Sequence, residues 1–460
     1  MIESAAFLVI FICAPAIWLI LLWSTGVNLL TISLPSFTIL YVLVYQYVGF
    51  PILFFGLDDY RAQTINDKSV IWEMFVWTNV TASLLVIGVV VARKHLGPLH
   101  RGAQYNSFHH VLKPATKIEL LAVLSIFALA LASLGLYLSK VGLNSIALFV
   151  ALGQVDSDLS LESLRSQMGT TFQGSYHWYR LFMRDFLSLS SVALFAIWLQ
   201  KTSRIRYFLL FSLSFIVASF SSLMAAQKAP FAWYLVSLFV MYSIVKGSGR
   251  LYFKQSLLLL IAGSLMVGVM YVVFMNSPSL FSGINSGFSR LTTGQMAGLY
   301  HYLIIFPDNV GYLHGRSFPN PGGIFPFKPY ALTVEVMNIV RPELRSQGVV
   351  GTMPTFFWGE MYANFGYWGI LLPPFFIGYL IYALNVLIFR LHMSPFVMSV
   401  YVWLLLDLRN LAETGLSRFI LYIPGAIVVT LLIVVLAIDG KGAIRYRRQR
   451  LNASELAVSG

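Results

Sequence analysis

The sequence predicts an all-α polytopic membrane protein with about 11 transmembrane helices and two long segments on one side of the membrane. Two observations predict this class. The chain of 460 residues is 58% hydrophobic and only 11% charged, whereas charged residues make up about 25% of an ordinary soluble domain. Apolar runs of roughly 20 residues, the length at which a helix crosses a bilayer, recur from one end of the chain to the other.

The individual spans are predicted from the lengths of these apolar runs. The first run carries Glu3 where a signal peptide has a basic start, and it lacks a clear small-residue cleavage site. It is therefore expected to be a span and not a cleaved signal peptide. The predicted spans cover about residues 4–24, 34–55, 69–91, 118–138, 181–200, 207–224, 230–245, 255–275, 364–389, 396–408 and 419–438.

Basic residues predict the orientation of the chain. They gather in residues 93–117, 201–206, 246–254 and 441–450, which all fall on one side if the spans alternate. Cytoplasmic loops collect lysine and arginine, so this side and the C-terminus are predicted to be cytoplasmic. The excess of 31 Lys and Arg over 18 Asp and Glu then reflects topology, and no nucleic acid partner is expected.

Two segments on the opposite side are long enough to carry a function. They cover residues 139–180 and 276–362, and loops longer than about 12–15 residues are usually functional or disordered. Their aromatic and apolar content argues against disorder. We therefore predict one transmembrane domain over residues 1–460, in which segment 276–362 covers the functional site and contains short helices near residues 294–306 and 331–344.

Cations without dense acidic partners are concentrated in segment 276–362. Guanidinium groups bind phosphate oxygens through two parallel hydrogen bonds, so these residues predict an anionic ligand. The alternative is a solvated surface, since long loops cross the membrane despite their charges. The residues are Arg290, His301, His314, Arg316, Lys328, Arg341 and Arg345.

Further charges lie within or beside the predicted spans. A charge at the bilayer centre costs about 2.5–3.5 kcal/mol, so such residues usually face a bundle interior or a polar cavity. Arg409 and Glu413 also have the spacing of an ion pair on one helix turn. The other charges of this kind are Glu73, Arg184, Asp185 and Asp407.

Residue patterns for metal or nucleotide cofactors do not stand out. Cys13 is the only cysteine, which allows no intramolecular disulfide and no cysteine-based zinc site. The single Asp-x-Asp pair, Asp156 and Asp158, caps a helix more readily than it binds a metal, and no cofactor is expected. A lipid-linked phosphosugar fits the whole pattern, with its tail in the membrane, its phosphates at the cations and its glycan against the aromatic residues.

Three stretches carry a resemblance to a known family. Residues Gly348–Tyr367 read GVVGTMPTFFWGEMYANFGY, Leu313–Tyr330 read LHGRSFPNPGGIFPFKPY, and Ala225–Trp233 read AAQKAPFAW. They are similar to the end of the large periplasmic loop, its Pro-rich part and the central Gln-Lys turn of the Wzy-type oligosaccharide repeat-unit polymerases, which build O-antigen. The resemblance covers roughly residues 205–390, and the first third of the chain matches only as generic hydrophobic helices.

The resemblance implies a GT-C-like, metal-independent glycosyltransferase of the bacterial inner membrane, with its active site facing the periplasm. Its donor and acceptor would be undecaprenyl-pyrophosphate-linked glycans, and a chain-length regulator is a candidate partner. Some members carry Arg followed by Gly after ten intervening residues in two loops. Here Arg341 and Gly351 have nine residues between them, and Arg165 and Gly174 have eight, so that pattern is not carried over.

The predicted roles follow from this chemistry. Arginines and lysines stabilise the charge that develops on the pyrophosphate leaving group, and a base activates the acceptor hydroxyl. Glu360 is the first candidate for the base, with His314 and His301 as rivals, and Arg345 completes the catalytic candidates. Glu360 has the alternative role of a helix N-terminal carboxylate. The substrate-binding candidates are Arg290, Arg316, Lys328, Arg341, Lys228, Arg165, Tyr362, Asn364 and Arg409, with Gly348 and Gly351 as turn positions.

Other functions remain open at this point. An O-antigen ligase, which moves the finished glycan onto lipid A core, shares the donor and the topology. A flippase or exporter of the same lipid would more typically show repeated halves with charges deep in many helices. A non-enzymatic partner of a polysaccharide complex predicts that no single arginine of segment 276–362 matters.

Overall fold

The prediction of an all-helical polytopic membrane protein is confirmed by a computed structural model. The structure describes residues 2–58, 61, 63–98, 112–155, 161–168, 176–346, 351–391, 393–420 and 423–439. Within these ranges ten helices are long and apolar enough to cross a membrane. Gly174, Gly348, Asp156, Asp158 and the basic tail 441–450 lie outside the described residues.

The observed spans agree closely with the apolar runs of the sequence. The predicted span 419–438 corresponds to the helix Ile423–Asp439, whose 17 residues make it shorter than the others. The ten long spans are Glu3–Ser24, Leu34–Phe54, Lys68–Leu96, Lys117–Val141, Trp178–Gln200, Ile205–Leu223, Lys228–Val245, Phe253–Met275, Tyr367–Phe389 and Pro395–Glu413.

The chain folds into two compact units. The first unit contains Met1–Ala103, Asn285–Ile388 and Asp407–Tyr422. The second unit contains Gln104–Ile284, Phe389–Leu406 and Ile423–Gly460. The motif stretches Leu313–Tyr330 and Gly348–Tyr367 therefore belong to the first unit, while Ala225–Trp233 belongs to the second.

Glycines allow two spans of the first unit to approach closely. A Cβ atom on Gly88 of Lys68–Leu96 would collide with the carbonyl oxygen of Phe375, and one on Gly378 would collide with that of Leu85. Small residues at such crossings let helix backbones touch, which is how helices gain packing contacts inside a membrane. The crossing joins Lys68–Leu96 to Tyr367–Phe389.

Among the residues that the structure describes, each unit has one span that contains a π-helical stretch. The stretches are Val42–Tyr47 in the first unit and Leu181–Phe186 in the second. In the second unit the hydroxyl of Ser221 donates to the carbonyl of Met183, which lies within this stretch. Arg184 and Asp185 lie within this stretch. Such turns occur frequently at functional sites, and no pattern in the sequence predicted them.

Short helices make up most of segment 276–362. The predicted helices near residues 294–306 and 331–344 are confirmed as Thr293–Ile305 and Leu332–Val340. The second ends earlier than expected because the residue before a proline is disfavoured in the helical region. Arg341, which precedes Pro342, has φ −135° and ψ 68°. The described part of the segment also contains the α-helices Leu280–Leu291, Pro342–Ser346 and Phe357–Phe365.

Candidate functional site

A buried polar cluster in the first unit connects the helix Phe357–Phe365 to the turn Leu313–Ser317. Asn364, which is fully buried, donates from Nδ2 to the hydroxyl of Ser317 at 2.8 Å and to the carbonyl of Glu360 at 2.8 Å. Its Oδ1 accepts the backbone N–H of Gly315 at 2.9 Å. We call Glu360, Asn364 and Ser317 the Glu360 cluster.

Both carboxylate oxygens of Glu360 accept hydrogen bonds. Oε1 accepts from the Ser317 hydroxyl at 2.9 Å, and Oε2 accepts from the backbone N–H of Ser417 at 2.9 Å. The side chain is only 4% exposed, and a buried carboxylate is costly unless such bonds satisfy it. A Cβ atom on Gly415 would collide with the carboxylate, and Gly415 has φ +100°. Glu360 therefore joins three segments of the first unit.

The turn Leu313–Ser317 covers the C-terminal end of Phe357–Phe365. The N–H groups of Leu313 and His314 donate to the carbonyls of Ala363 and Asn364, both at 3.0 Å, and these carbonyls have no partner within their own helix. His314 has φ +50°, an uncommon conformation for a residue other than glycine that often marks a functional site. Its side chain is exposed. The buried cluster therefore presents His314 at the protein surface.

Residues Arg316–Tyr330 form a closed loop whose ends meet. The N–H of Tyr330 donates to the carbonyl of Arg316 at 2.7 Å, and the Arg316 guanidinium lies 6.0 Å from the centre of the Tyr330 ring. Inside the loop, Asn320 donates to the carbonyls of Phe325 and Phe327, both at 2.9 Å. Compact loops of this kind are frequently functional. Arg316 and Lys328 are both exposed on it.

His301 lies in a different environment from His314. It belongs to Thr293–Ile305 and is half-buried. Burial, followed by the nearby Arg341 guanidinium, lowers the pKa of His301 to about 4. The imidazole is therefore neutral at pH 7, and it is a weak base.

Arg341 and Arg345 do not lie on one continuous helix. Arg341 is half-buried in the extended turn after Leu332–Val340, while Arg345 is exposed on the next short helix. Gly351 packs against the Met337 side chain, where a Cβ atom would collide. The expectation that these two arginines bind an anionic ligand stays a prediction.

Three other candidates of the first unit have defined positions. Arg290 is exposed at the end of Leu280–Leu291. The hydroxyl of Tyr362 donates to the carbonyl of Phe306 at 3.1 Å. The expected pairing of Arg409 with Glu413 is confirmed, with 3.6 Å between Nε and Oε2.

Two candidates belong to the second unit and are not part of the Glu360 cluster. The Lys228 ammonium lies 3.0 Å from the centre of the Tyr271 ring, which is a cation–π contact. Arg165 lies in the short helix Leu161–Ser166, and its side chain is outside the described residues. These two positions stay predictions for substrate binding.

Sequence reasoning missed Ser317, Ser417 and Gly415. Ser317 and Ser417 lie 43 and 57 residues from Glu360 along the chain, so no local spacing indicates that they meet it. Among the described residues, no group of three or more His, Cys, Asp or Glu side chains is placed to hold a metal ion.

Comparisons of the chain with protein-family models, curated proteins and solved structures find no match. The resemblance to the Wzy-type polymerases therefore rests on the three quoted stretches alone.

Proposed function

We propose that the protein is a membrane glycosyltransferase that polymerises undecaprenyl-pyrophosphate-linked oligosaccharides at the periplasmic face of a bacterial inner membrane. The observation that carries the proposal is the Glu360 cluster, which holds the turn with His314 and Arg316 in an ordered and exposed conformation. The multi-spanning fold and the resemblance of stretches 313–330 and 348–367 to the family support it.

In this proposal His314 is the base, and Glu360 positions it. Glu360 is buried with both carboxylate oxygens already hydrogen-bonded, whereas His314 is exposed. His301 is disfavoured because a pKa of about 4 makes it a poor proton acceptor at pH 7. Glu360 and His301 were the other candidates of the sequence, and of these Glu360 keeps a role as the residue that holds the turn.

The reaction transfers one glycan chain onto another. The His314 imidazole accepts the proton of the acceptor hydroxyl as its oxygen bonds to the anomeric carbon of the donor. The bond between that carbon and the pyrophosphate oxygen breaks, and the electron pair leaves with the pyrophosphate. Arg316 and Lys328, the exposed cations of the closed loop, stabilise this charge, as fixed electrostatic groups do in other transferases.

The direct test is incubation of the purified protein in nanodiscs with an undecaprenyl-pyrophosphate oligosaccharide, followed by gel separation of the products. A ladder of increasing length that forms equally in EDTA is the expected result. Loss of the ladder in EDTA and its recovery with magnesium would contradict the metal-free mechanism. Transfer onto lipid A core, without a ladder, would identify a ligase.

A further inference from the structure

We propose that Glu73, Trp77 and Tyr367 form a second binding site in the first unit, for an uncharged sugar ring. The proposal rests on the proposed function only for the origin of this sugar, which would be a residue of the lipid-linked glycan. The site differs in chemistry from the loop that carries Arg316 and Lys328, because its charged group is a carboxylate.

The carboxylate of Glu73 is held by two neutral donors. Its Oε1 accepts from the indole Nε1 of Trp77 at 3.3 Å and from the hydroxyl of Tyr367 at 3.5 Å. Trp77 lies one helical turn after Glu73, so both side chains are on one face of Lys68–Leu96. Among the described residues no hydrogen bond reaches Oε2, which leaves this oxygen available to a ligand hydroxyl.

The charge of Glu73 is not explained by an ion pair. In the described part of the chain, no lysine or arginine forms a salt bridge with it. Glu73 is half-buried, and hydrogen bonds offset the cost of removing its carboxylate from water. An aromatic belt at a membrane surface requires tryptophan and tyrosine but no such carboxylate. A ligand that donates hydrogen bonds would use the second oxygen of this carboxylate.

Aromatic rings surround the carboxylate. The rings of Trp77 and Tyr367 lie 5.0 Å apart at 34°, and those of Tyr367 and Tyr362 lie 5.6 Å apart. Tyr367 is 47% exposed, so ring surface is open to a ligand. The apolar face of a sugar stacks on such rings while its hydroxyls donate to a carboxylate. This combination selects a neutral sugar and disfavours a phosphate.

The site lies near the end of its span. The helix Lys68–Leu96 has 29 residues and is therefore about 44 Å long, against roughly 30 Å for the hydrocarbon core. Glu73 is only about 8 Å from its N-terminus by helical rise. Tyr367 also begins a span, Tyr367–Phe389. Both residues are therefore placed where a water-soluble glycan can reach them.

The turn at Gly366 connects this site to the Glu360 cluster. Gly366 has φ 59° and ψ −143°, and a Cβ atom there would collide with the ring of Tyr312. Tyr312 comes directly before Leu313, whose N–H covers the end of Phe357–Phe365. The contact between Gly366 and Tyr312 therefore brings the sugar site close to the turn that carries His314.

The test uses methyl glycosides of glucose, galactose, mannose, rhamnose and N-acetylglucosamine as probes. Saturation-transfer difference NMR on the nanodisc-embedded protein should show transfer to the ring protons of at least one of them. Glu73→Gln, which preserves shape, and Trp77→Phe, which removes the indole N–H, should each weaken the binding at least tenfold. Trp368→Phe is the matched control, since Trp368 is 71% exposed and makes no hydrogen bond to Glu73.

The outcomes separate this site from the proposed activity. Absence of transfer from every glycoside, or equal transfer in wild type, Glu73→Gln and Trp77→Phe, would overturn the sugar site while leaving the polymer ladder intact. Glycoside binding that depends on Glu73 in a protein that makes no ladder would support the site and contradict the polymerase. Equal losses in Trp368→Phe and Trp77→Phe would reduce the site to a general aromatic surface and overturn it.

Discussion

The carboxylate of Glu360 accepts a hydrogen bond of 2.9 Å from the backbone N–H of Ser417, a residue 57 positions further along the chain. The bond connects the helix Phe357–Phe365 to the segment that follows the last long span. Because the other carboxylate oxygen binds Ser317, one buried side chain holds together the parts of the first unit that surround the turn with His314.

Glu360→Ala is expected to destabilise the protein. It leaves the Ser317 hydroxyl and the Ser417 N–H without their acceptor, and each buried unsatisfied group costs about 1–3 kcal/mol. Thermal unfolding in detergent should show a lowered midpoint. Glu335→Ala, at a partly exposed position of Leu332–Val340, is the control. An unchanged midpoint in Glu360→Ala would show that these bonds do not stabilise the unit.

Gly366→Ala is expected to be more harmful than an ordinary glycine substitution. Its backbone conformation is one that essentially only glycine adopts, which costs about 1–3 kcal/mol in other residues, and the added methyl group would collide with Tyr312. Gly135→Ala is the control, since its Cβ atom would meet no atom within 4 Å. Equal unfolding midpoints for the two variants would contradict the described turn.

Acidification should destabilise the protein through His301. Its folded-state pKa is lowered to about 4, below about 6.5 in the unfolded chain, so the unfolded state binds the proton more readily. The stabilising contribution is present above pH 6.5 and is lost as the pH falls towards 4. When the pH is lowered over this range, the unfolding midpoint of His301→Asn should therefore fall less than that of the wild type. Parallel curves of unfolding midpoint against pH for the two proteins would contradict this role of His301.

Much of the fold was predictable from apolar length, because a membrane span has to bury its backbone groups in a helix of fixed minimum length. The run predicted at 34–55 is observed as Leu34–Phe54, and the run at 118–138 as Lys117–Val141. The π-helical stretch inside Leu34–Phe54 was not predicted, since it depends on the packing of neighbouring helices.

The candidate site was less predictable than the spans. Glu360 and Asn364 were identified as functional candidates because they lie in the stretch Gly348–Tyr367. Ser417, which hydrogen-bonds to Glu360, was not identified because the two residues are distant in sequence. The sequence predicted a helix that continues to about residue 344, but it ends at Val340 because local backbone sterics disfavour a helical Arg341 before Pro342. The sequence alone could not show that both donors to Glu73 reach Oε1, because this depends on where Trp77 and Tyr367 lie in the fold.

The predicted orientation places the closed loop in the periplasm. Lys328→Cys in a Cys13→Ser background puts one thiol at an exposed position of that loop. In intact cells that have a permeable outer membrane, a membrane-impermeant maleimide should label it. Lys94→Cys, exposed at the C-terminal end of Lys68–Leu96, should react only after the inner membrane is opened. The reverse pattern would overturn the orientation.

The most direct test of the central claim is the initial rate of ladder formation by His314→Ala and Glu360→Gln at equal amounts of folded protein. Loss of a base typically lowers a rate by about 10²–10⁴-fold, so His314→Ala should fall by at least about 100-fold, while Glu360→Gln should fall by less than about tenfold. His95→Ala, at an exposed position of the same unit, should match the wild type. A wild-type rate in His314→Ala, or an equally large loss in a well-folded Glu360→Gln, would contradict the assignment of His314 as the base.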